Sequence, residues 1–417
     1  MSVLLMPRGM HSKRLLNGSP QTTLCIAAIL GVVLVANALY LFGVFDPNPL
    51  NQVSGLTSGL RPGPFPGGNT IDPNVGFTSQ ALGHRAALDW LGGHIPWWNP
   101  FEGIGAPLAG EMQAAALFPL SLLLYFSTGQ IYFHLILECV AGISTFLLLS
   151  RFVRYPWVAV AGGLAFALNG TFAWTAHAPV NPIAFLPLLL LGIERAFEAA
   201  RRGAPGRWGL IAVALALSIY AGFPEGAYIN GILAAFWLFG RLLSIERSSR
   251  RSAVLRTAIG VAVGVLLAAP ILVAFLDYLP YADIGAHSGA FAYSSFSRAA
   301  LPQVVFPYVY GPLFAFDSAD RSGVLSQLWG GGYASALLVS LAAIGSVGNR
   351  NRPLRLMLLS WVVLAIGKTF GVSLITHLVN HIPGISATAF AVYAATSWEF
   401  SIIFLVSWQV VPPRNSD

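Results

Sequence analysis

The sequence predicts an all-α polytopic membrane protein, and three observations lead to this prediction. The 417-residue chain is 56% hydrophobic and only 9% charged, whereas about 25% of the residues in a typical soluble domain are charged. Its apolar runs are long and unbroken, as in membrane helices, and lack the alternation of a β-barrel. Its basic residues form short clusters between these runs. The net charge is +7, but the placement of these clusters follows the positive-inside rule and argues against nucleic-acid binding.

The order of polar and apolar segments predicts the domain layout. The first apolar run, 23–45, is long enough to cross a bilayer at about 1.5 Å per residue. We predict these segments in order: cytoplasmic tail 1–21, first transmembrane helix 22–45, external loop 46–126, transmembrane bundle 127–275, second external loop 276–330, C-terminal transmembrane helices 331–411 and cytoplasmic tail 412–417.

The first external loop has three parts. Residues 46–70 are rich in Pro, Gly and Asn, which is typical of an irregular loop. Residues 75–91 are weakly amphipathic, which predicts a short helix on the membrane surface. Residues 114–126 are too few to span a bilayer, so we expect a re-entrant or interfacial helix there.

Apolar runs alternate with basic clusters through the rest of the chain. The runs cover 131–150, 157–174, 183–196, 208–220, 228–239, 255–275, 331–347, 356–370 and 387–410. Together with the first run, they predict about ten spans with both termini in the cytoplasm, since every basic cluster then lies on one side. Most acids lie on the other side, and many of them are in the external loops.

The stretch 72–113 is the long polar segment of this apolar chain, and it holds Asp72, Glu102 and Glu111. The short cytoplasmic turns leave no room for a nucleotide-binding domain, and no phosphate-binding loop motif follows a predicted strand. A membrane enzyme acting on the outer face therefore needs a lipid-linked substrate. Glycosyl transfer there needs one carboxylate to accept a proton, and positive charge or a metal to hold the donor phosphate.

Several motifs resemble the first external loop of the YfhO-like bacterial membrane proteins, which belong to the GT-C superfamily of glycosyltransferases. The motifs are DPN-x5-Q (Asp72 to Gln80), GGHIPWWNP (Gly92 to Pro100), GIGAPL (Gly103 to Leu108) and EMQ-x4-FPL (Glu111 to Leu120). Similar segments follow in the same order, as NP-x3-LP (Asn181 to Pro187), AGFPEGAY (Ala221 to Tyr228), AAPILVAFLDYL (Ala268 to Leu279) and HIPGISATAF (His381 to Phe390).

This resemblance implies a GT-C-like helical core of about ten transmembrane helices with a large first external loop. It also implies a polyprenyl-phosphate-linked sugar as donor, a glycan or lipid acceptor, contact with membrane lipids and a place in the bacterial inner (cytoplasmic) membrane. The sequence departs from the family in the stretch 387–395, which lacks the arginines expected there. It also stops after the tenth predicted span, so a truncated or inactive member is an alternative.

The candidate catalytic residues are three acids. The resemblance matches Asp72 to the catalytic base, although Asp before Pro is also a helix-capping signature. Glu102 and Glu111 flank the Gly/Pro run and are candidates for a base or a metal ligand, with exposed loop carboxylates as the alternative. A divalent cation is therefore open as a cofactor, while His377 and His381 form a weaker candidate metal pair without a partner.

The candidate substrate-binding residues have ordinary alternatives as well. Trp97 and Trp98 are candidates for stacking on a sugar ring, or anchors at the membrane interface. Glu225 is predicted to line a membrane-facing pocket, and Arg298 to hold the donor phosphate unless it is an exposed loop arginine. The candidate amide partners of the sugar or phosphate are Gln80, Asn99 and Gln113.

The sequence thus favours a membrane glycosyltransferase moving a sugar from a polyprenyl-phosphate donor to an envelope acceptor on the external face. A transporter or flippase for a lipid-linked precursor is an alternative. Transporters often have ionisable groups near the bilayer midplane and a chain built of two repeated halves. Neither feature is visible in this sequence. A non-catalytic membrane scaffold is the third hypothesis.

Overall fold

The structure is a computed structural model that describes residues 20–53, 74–174, 180–282, 290–306, 309, 331–347 and 351–408. It is 73% helical. Within these ranges there is no strand, and the one isolated β-bridge joins Asn99 to Ala106. The predicted all-α class is therefore confirmed.

The helices fall into three groups along the chain. The N-terminal helices are α1 (Pro20–Ala36), α2 (Ala38–Leu41), α3 (Pro49–Val53) and α4 (Ala81–Leu91). The central helices are α5 (Gly129–Leu149), α6 (Pro156–Ala167), α7 (Gly170–Trp174), α8 (Leu186–Arg202), α9 (Gly209–Tyr220), α10 (Pro224–Ser244), α11 (Arg247–Leu267) and α12 (Ala269–Tyr278). The C-terminal helices are α13 (Ala336–Ser346), α14 (Arg352–Thr369), α15 (Ser373–Asn380), α16 (Phe390–Tyr393) and α17 (Ala395–Ser407).

Short π and 3-10 helices connect these elements. A π-helical turn over Val75–Gln80 leads directly into α4, and together they form the amphipathic helix expected at 75–91. The segment predicted as a re-entrant or interfacial helix at 114–126 is helical in part. Only Pro119–Tyr125 is helical there, as a 3-10 helix, and the residues before it form turns held by a bond from the indole of Trp90 to the carbonyl of Ala116.

Several helices are long and apolar enough to cross a membrane. Four qualify among the described residues: α5, α10, the joined α6–α7 stretch Pro156–Ala173 and the joined α16–α17 stretch Phe390–Ser407. The pairs α11–α12 and α14–α15 also qualify as broken spans, bent by 63° and 109°. By length alone the described residues thus hold four to six spans, and α1, α9 and α13 are shorter apolar helices. The prediction of about ten spans stays a prediction.

The helices alternate in direction, which gives the bundle two different ends. Near the last turns of α9 and α11, the hydroxyl of Tyr220 donates to the carbonyl of Leu267 at 2.9 Å. Closer to the start of both helices, Arg256 in the middle of α11 donates to the carbonyl of Gly206, just before α9, at 2.5 Å. These two helices are therefore parallel, and α10, which lies between them in the sequence, runs in the opposite direction. Likewise, Arg151 after α5 pairs at 3.0 Å with Glu198 late in α8.

We call the end where α5, α8 and α10 finish the basic end, because arginines gather there. They include Arg151, Arg154, Arg201, Arg202, Arg207, Arg241, Arg247, Arg250, Arg251, Arg256, Arg352 and Arg355. The opposite end, which carries α4 and the residues up to the start of α5, is the loop end. This distribution agrees with the positive-inside pattern in the sequence.

The core near the basic end is held by aromatic rings and a buried ion pair. The ring of Phe152 lies 5.7 Å from that of Trp237 and 5.1 Å from that of Phe404, edge to face. Arg241 binds the Glu194 carboxylate with two bonds of 2.6 and 2.9 Å, and the indole of Trp237 adds a third at 2.9 Å. This bidentate, fully bonded pair joins α8 to α10.

The helices break at the loop end. The first apolar run is interrupted at Asn37, between α1 and α2, although the sequence predicted one helix over 22–45. The bend between α11 and α12 lies at Ala268, and α14 turns into α15 after Thr369. The breaks between α6 and α7 and between α16 and α17 lie at the same end. The bundle therefore has a regular basic half and an irregular loop half.

Candidate functional site

The candidate site is the segment 92–118 at the loop end, where it packs against the ends of four helices. Its apolar residues share a small core with the ends of α9 and α11 and the starts of α10 and α12: Leu108, Ala109, Met112, Ala114, Ala116, Ile219, Ala227, Ala268 and Ile271. The contact with α12 is tight at Gly110, where a Cβ atom would lie 2.9 Å from the carbonyl oxygen of Ala274. The segment is therefore fixed to the helical bundle.

Asn99 shapes the first half of this segment. Its backbone exchanges two hydrogen bonds with Ala106, at 2.7 and 2.9 Å. Its buried side chain accepts from the backbone N–H of Phe101 and donates to the Glu102 carboxylate at 3.3 Å. The amide thus closes the turn that carries Glu102. The predicted role of Asn99 in substrate binding stays a prediction beside this local role.

The same turn presents aromatic side chains to the outside. Trp97 is 43% exposed, Trp98 is 52% exposed and Phe101 is 78% exposed. The Trp98 ring lies against Gly105, where a Cβ atom would come within 2.4 Å of the indole nitrogen. Both tryptophans are therefore placed where a sugar ring or a lipid surface can reach them.

Glu111 lies in the second half of the segment, among backbone turns that non-glycine residues rarely adopt. Met112 and Ala115 both have positive φ angles, of 63° and 47°. One carboxylate oxygen of Glu111 is buried and has no hydrogen-bond partner among the described residues. Burial and, secondly, the negative charge of Glu102 raise the pKa of Glu111 from its ordinary value of 4.5 to about 8.

This raised pKa keeps Glu111 a candidate for an acid or base. A carboxyl group with a pKa near the working pH is able to accept and return a proton. The burial and charge repulsion that raise the pKa also cost stability. Groups with such raised pKa values are therefore found mostly at functional sites. Glu102, by contrast, is exposed.

Gln80 is buried and fully engaged with the protein. Its Nε2 donates to the carbonyls of Leu124 and Phe126 at 3.0 Å each, and its Oε1 accepts from the backbone N–H of Gln130 at 3.2 Å. The side chain thus fastens the start of α4 to the start of α5. Its predicted contact with substrate stays untested. Gln113 is half-buried in the candidate segment.

Two further candidates connect distant segments at the loop end. Glu225, buried in the first turn of α10, accepts from the backbone N–H of Ala389 at 2.9 Å. The hydroxyl of Tyr228, one turn later, donates to the carbonyl of Pro383. Arg298 is exposed and donates to the carbonyl of Gly371 at 2.8 Å. Glu225 and Arg298 therefore hold late segments of the chain against the bundle.

Asp72, the residue that the resemblance matches to the catalytic base, lies outside the described residues.

The metal candidates gain no further ligand within the described residues. Within the described ranges, no group of three or more His, Cys, Asp or Glu residues lies close enough to hold a metal ion. In the pair His377 and His381, one ring nitrogen of His381 lies 2.8 Å from the His377 carbonyl. A divalent cation therefore stays a prediction.

The sequence reasoning missed a buried polar cluster in the loop half of the bundle. Glu138 in α5 accepts a 2.7 Å bond from Asn37 at the break of the first span, and lies 3.3 Å from the ring of His134. Nearby, Thr171 donates to the buried Glu399 of α17 at 2.7 Å. A signal was available, because an acid within a long apolar run is a functional candidate by default.

A buried lysine within an apolar run has two polar partners in the structure. The ammonium group of Lys368, near the end of α14, donates to the side chain of Asn380 at 2.6 Å and to the carbonyl of Ala292 at 2.9 Å. Asn380 also donates to the Ala292 carbonyl. These bonds hold the residues around Ala292 against α14 and α15.

Comparison with family models, curated proteins and solved structures found no match.

Proposed function

We propose that this chain is a multi-pass membrane glycosyltransferase of the GT-C type. It transfers a sugar from a polyprenyl phosphate to an envelope glycan or lipid acceptor on the membrane face at its loop end. The observation that supports this proposal most directly is Glu111, a carboxyl group with its pKa raised to about 8. It lies in the segment whose motifs resemble the first external loop of the YfhO-like proteins.

In the proposed reaction, a carboxylate of this segment takes the proton from an acceptor hydroxyl. The acceptor oxygen then forms a bond to the anomeric carbon as the bond from that carbon to the lipid phosphate oxygen breaks. The configuration inverts, and polyprenyl phosphate leaves with the electron pair. Glu111 and Asp72 are the two candidates for the base. The Trp97 and Trp98 rings supply apolar surfaces for the sugar.

The membrane placement supports a lipid-linked donor. The apolar helices are of spanning length, and the acid-bearing segment lies at the end opposite the arginines. By the positive-inside rule the basic end faces the cytoplasm, so the loop end faces outwards. The exposed aromatic residues of the loop end suit the interface, where the phosphate of a polyprenyl lipid also lies.

The test compares three variants of the full chain in proteoliposomes. Polyprenyl phosphates carrying glucose, galactose or mannose are offered with an envelope lipid extract, and sugar transfer is followed by mass spectrometry. We expect E111Q to lower the rate by about 100-fold or more, the usual contribution of a general base. E246Q, an exposed glutamate at the basic end, is the matched control and keeps the rate.

D72N decides which carboxylate is the base. If D72N stops transfer while E111Q does not, the base is Asp72 and Glu111 has another role in the site. Full rates in both variants would contradict a carboxylate base in this loop. Failure of the unaltered chain to transfer any of these sugars would favour a different function.

A second candidate is transport or flipping of a lipid-linked precursor, and the buried pair of His134 and Glu138 favours it. Both groups lie inside an apolar helix, and Glu138 accepts a bond from Asn37 at a helix break. Transporters use such an arrangement at their binding sites. Flipping of a fluorescent polyprenyl phosphate in liposomes, abolished by E138Q without any sugar transfer, would support transport over catalysis.

A further inference from the structure

A groove opens between α10 and α11 at the basic end. Its volume is about 600 Å³, within the usual range for small-molecule sites. Its walls are apolar and its mouth carries two arginines. The residues that matter for the argument are Phe239, Leu243, Val254, Leu255, Arg250 and Arg251.

The groove exists because α10 and α11 pack against different partners. Gly240 of α10 lies against α14, where a Cβ atom would come within 2.9 Å of the Leu354 backbone. Gly260 and Gly264 of α11 lie equally close to α9. The two helices therefore diverge after the turn that joins them, and their apolar side chains, Phe239 and Leu255 among them, point outwards and are exposed.

The charges at the mouth are positive. The segment 245–258 contains Arg247, Arg250, Arg251 and Arg256, and Glu246 is its one acid. Arg250 donates from Nε to the carbonyl of Ile245 at 3.3 Å, which holds its guanidinium at the turn. Arg251, the next residue, is exposed. An anionic group of a ligand would meet both guanidinium groups here.

We propose that this groove binds an anionic phospholipid of the leaflet at the basic end. Arginine guanidinium groups bind phosphate oxygens in a fixed, bidentate geometry, and basic pockets between membrane helices are typical sites for acidic headgroups. From Arg251 to Ala258 the helix rises about 10 Å, so the apolar wall covers the glycerol and the upper acyl chains. This site is separate from the proposed transfer reaction at the loop end.

The test uses the full chain purified in detergent and titrated with phosphatidylglycerol or phosphatidylcholine. Bound lipid is counted by native mass spectrometry, and the melting temperature is followed in parallel. We expect phosphatidylglycerol to bind and to raise the melting temperature, and phosphatidylcholine to do neither. The variant R250Q/R251Q should lose about 10-fold or more in affinity, because each lost charged bond is worth over 1 kcal/mol.

The matched control is R201Q/R202Q, which removes the same charge from exposed arginines at the same end, on α8. It should bind phosphatidylglycerol as the unaltered chain does. Equal binding of phosphatidylcholine, or full binding by R250Q/R251Q, would overturn the proposal. Glycerol phosphate competing as well as the whole lipid would also overturn it, because the apolar wall would then contribute nothing.

Discussion

Glu111 is a buried acid whose placement costs stability. Its buried oxygen lacks a hydrogen-bond partner among the described residues, so its charged form is disfavoured by burial and by Glu102. The folded chain therefore holds a proton there that the unfolded chain releases at a lower pH. This difference in proton binding makes stability depend on pH.

The sign of that dependence follows from the raised pKa. Between the ordinary value of 4.5 and about 8, the folded state binds the extra proton, so its stability falls as the pH rises, by up to about 1.4 kcal/mol per pH unit. We expect E111Q to flatten this fall, since a glutamine does not titrate. Thermal unfolding of the unaltered chain and of E111Q, from about pH 5 to about pH 9, measures the slope of stability against pH. An unchanged slope would contradict the raised pKa.

A second prediction at the residue scale concerns the substitution of Gly105. It has a φ angle of +105° and lies against the Trp98 ring, whereas Gly93 has a φ angle of +77° and open space around it. We expect G105A to loosen the turn more than G93A, because overpacking against the indole adds about 1–3 kcal/mol to the backbone strain. Chymotrypsin cleavage at the neighbouring aromatic residues, about 10-fold faster in G105A than in G93A, measures this difference. Equal cleavage rates would show that the indole moves aside freely.

At the scale of elements, the ion pair of Glu194 and Arg241 joins α8 to α10 within the core. Both side chains are buried, and the Trp237 indole completes the carboxylate's bonding. Burying two charges is costly, but leaving one of them without its partner costs more. The pair is therefore expected to be sensitive to the loss of either member.

We expect E194Q to destabilise the chain by about 3–5 kcal/mol, as is usual when a buried pair is broken. The control R202Q breaks a pair with Glu198 on the surface of the same helix and should cost about 0–1 kcal/mol. Thermal unfolding in detergent, followed by circular dichroism, gives both values. The double variant E194L/R241M should recover much of the loss, and a failure to recover would mean that the charges themselves stabilise the fold.

The helices themselves were largely predictable from the sequence, and their irregularities were not. The run 131–150 became α5, and 208–220 became α9 almost residue for residue, because long apolar runs favour helices in any packing arrangement. At the break of the first span, Asn37 bonds to Glu138, which is 101 positions away and could not be paired with it from the local sequence. Likewise, the local pattern made Gln80 a candidate for substrate contact but did not reveal its three long-range bonds.

At the scale of the whole molecule, the basic and loop ends define an orientation. Arginines concentrate where α5, α8 and α10 finish, and the candidate segment lies at the other end. For a bilayer, the positive-inside rule predicts that the basic end faces the cytoplasm. Both the proposed reaction and the proposed lipid site follow this orientation, on opposite sides.

Cysteine labelling on intact cells tests the orientation. Cys25 and Cys139 are free and are first replaced by alanine. We expect I104C, in the exposed turn of the loop end, to react with a membrane-impermeant maleimide from outside. S248C, exposed at the start of α11, should react only after the cells are permeabilised. The reverse pattern would place the candidate segment in the cytosol and contradict the proposed reaction.

The helix breaks at one end have a consequence for how this architecture tolerates change. Continuous helices in the basic half constrain one another through ring contacts and close glycine approaches, so an insertion there would shift the register of several neighbours. In the loop half, each helix break already separates the short segment on its loop side from the helix that continues towards the basic end. Under the proposed function, substrate preference is therefore free to diversify through the lengths and compositions of the segments at the loop end, while the basic half stays unchanged.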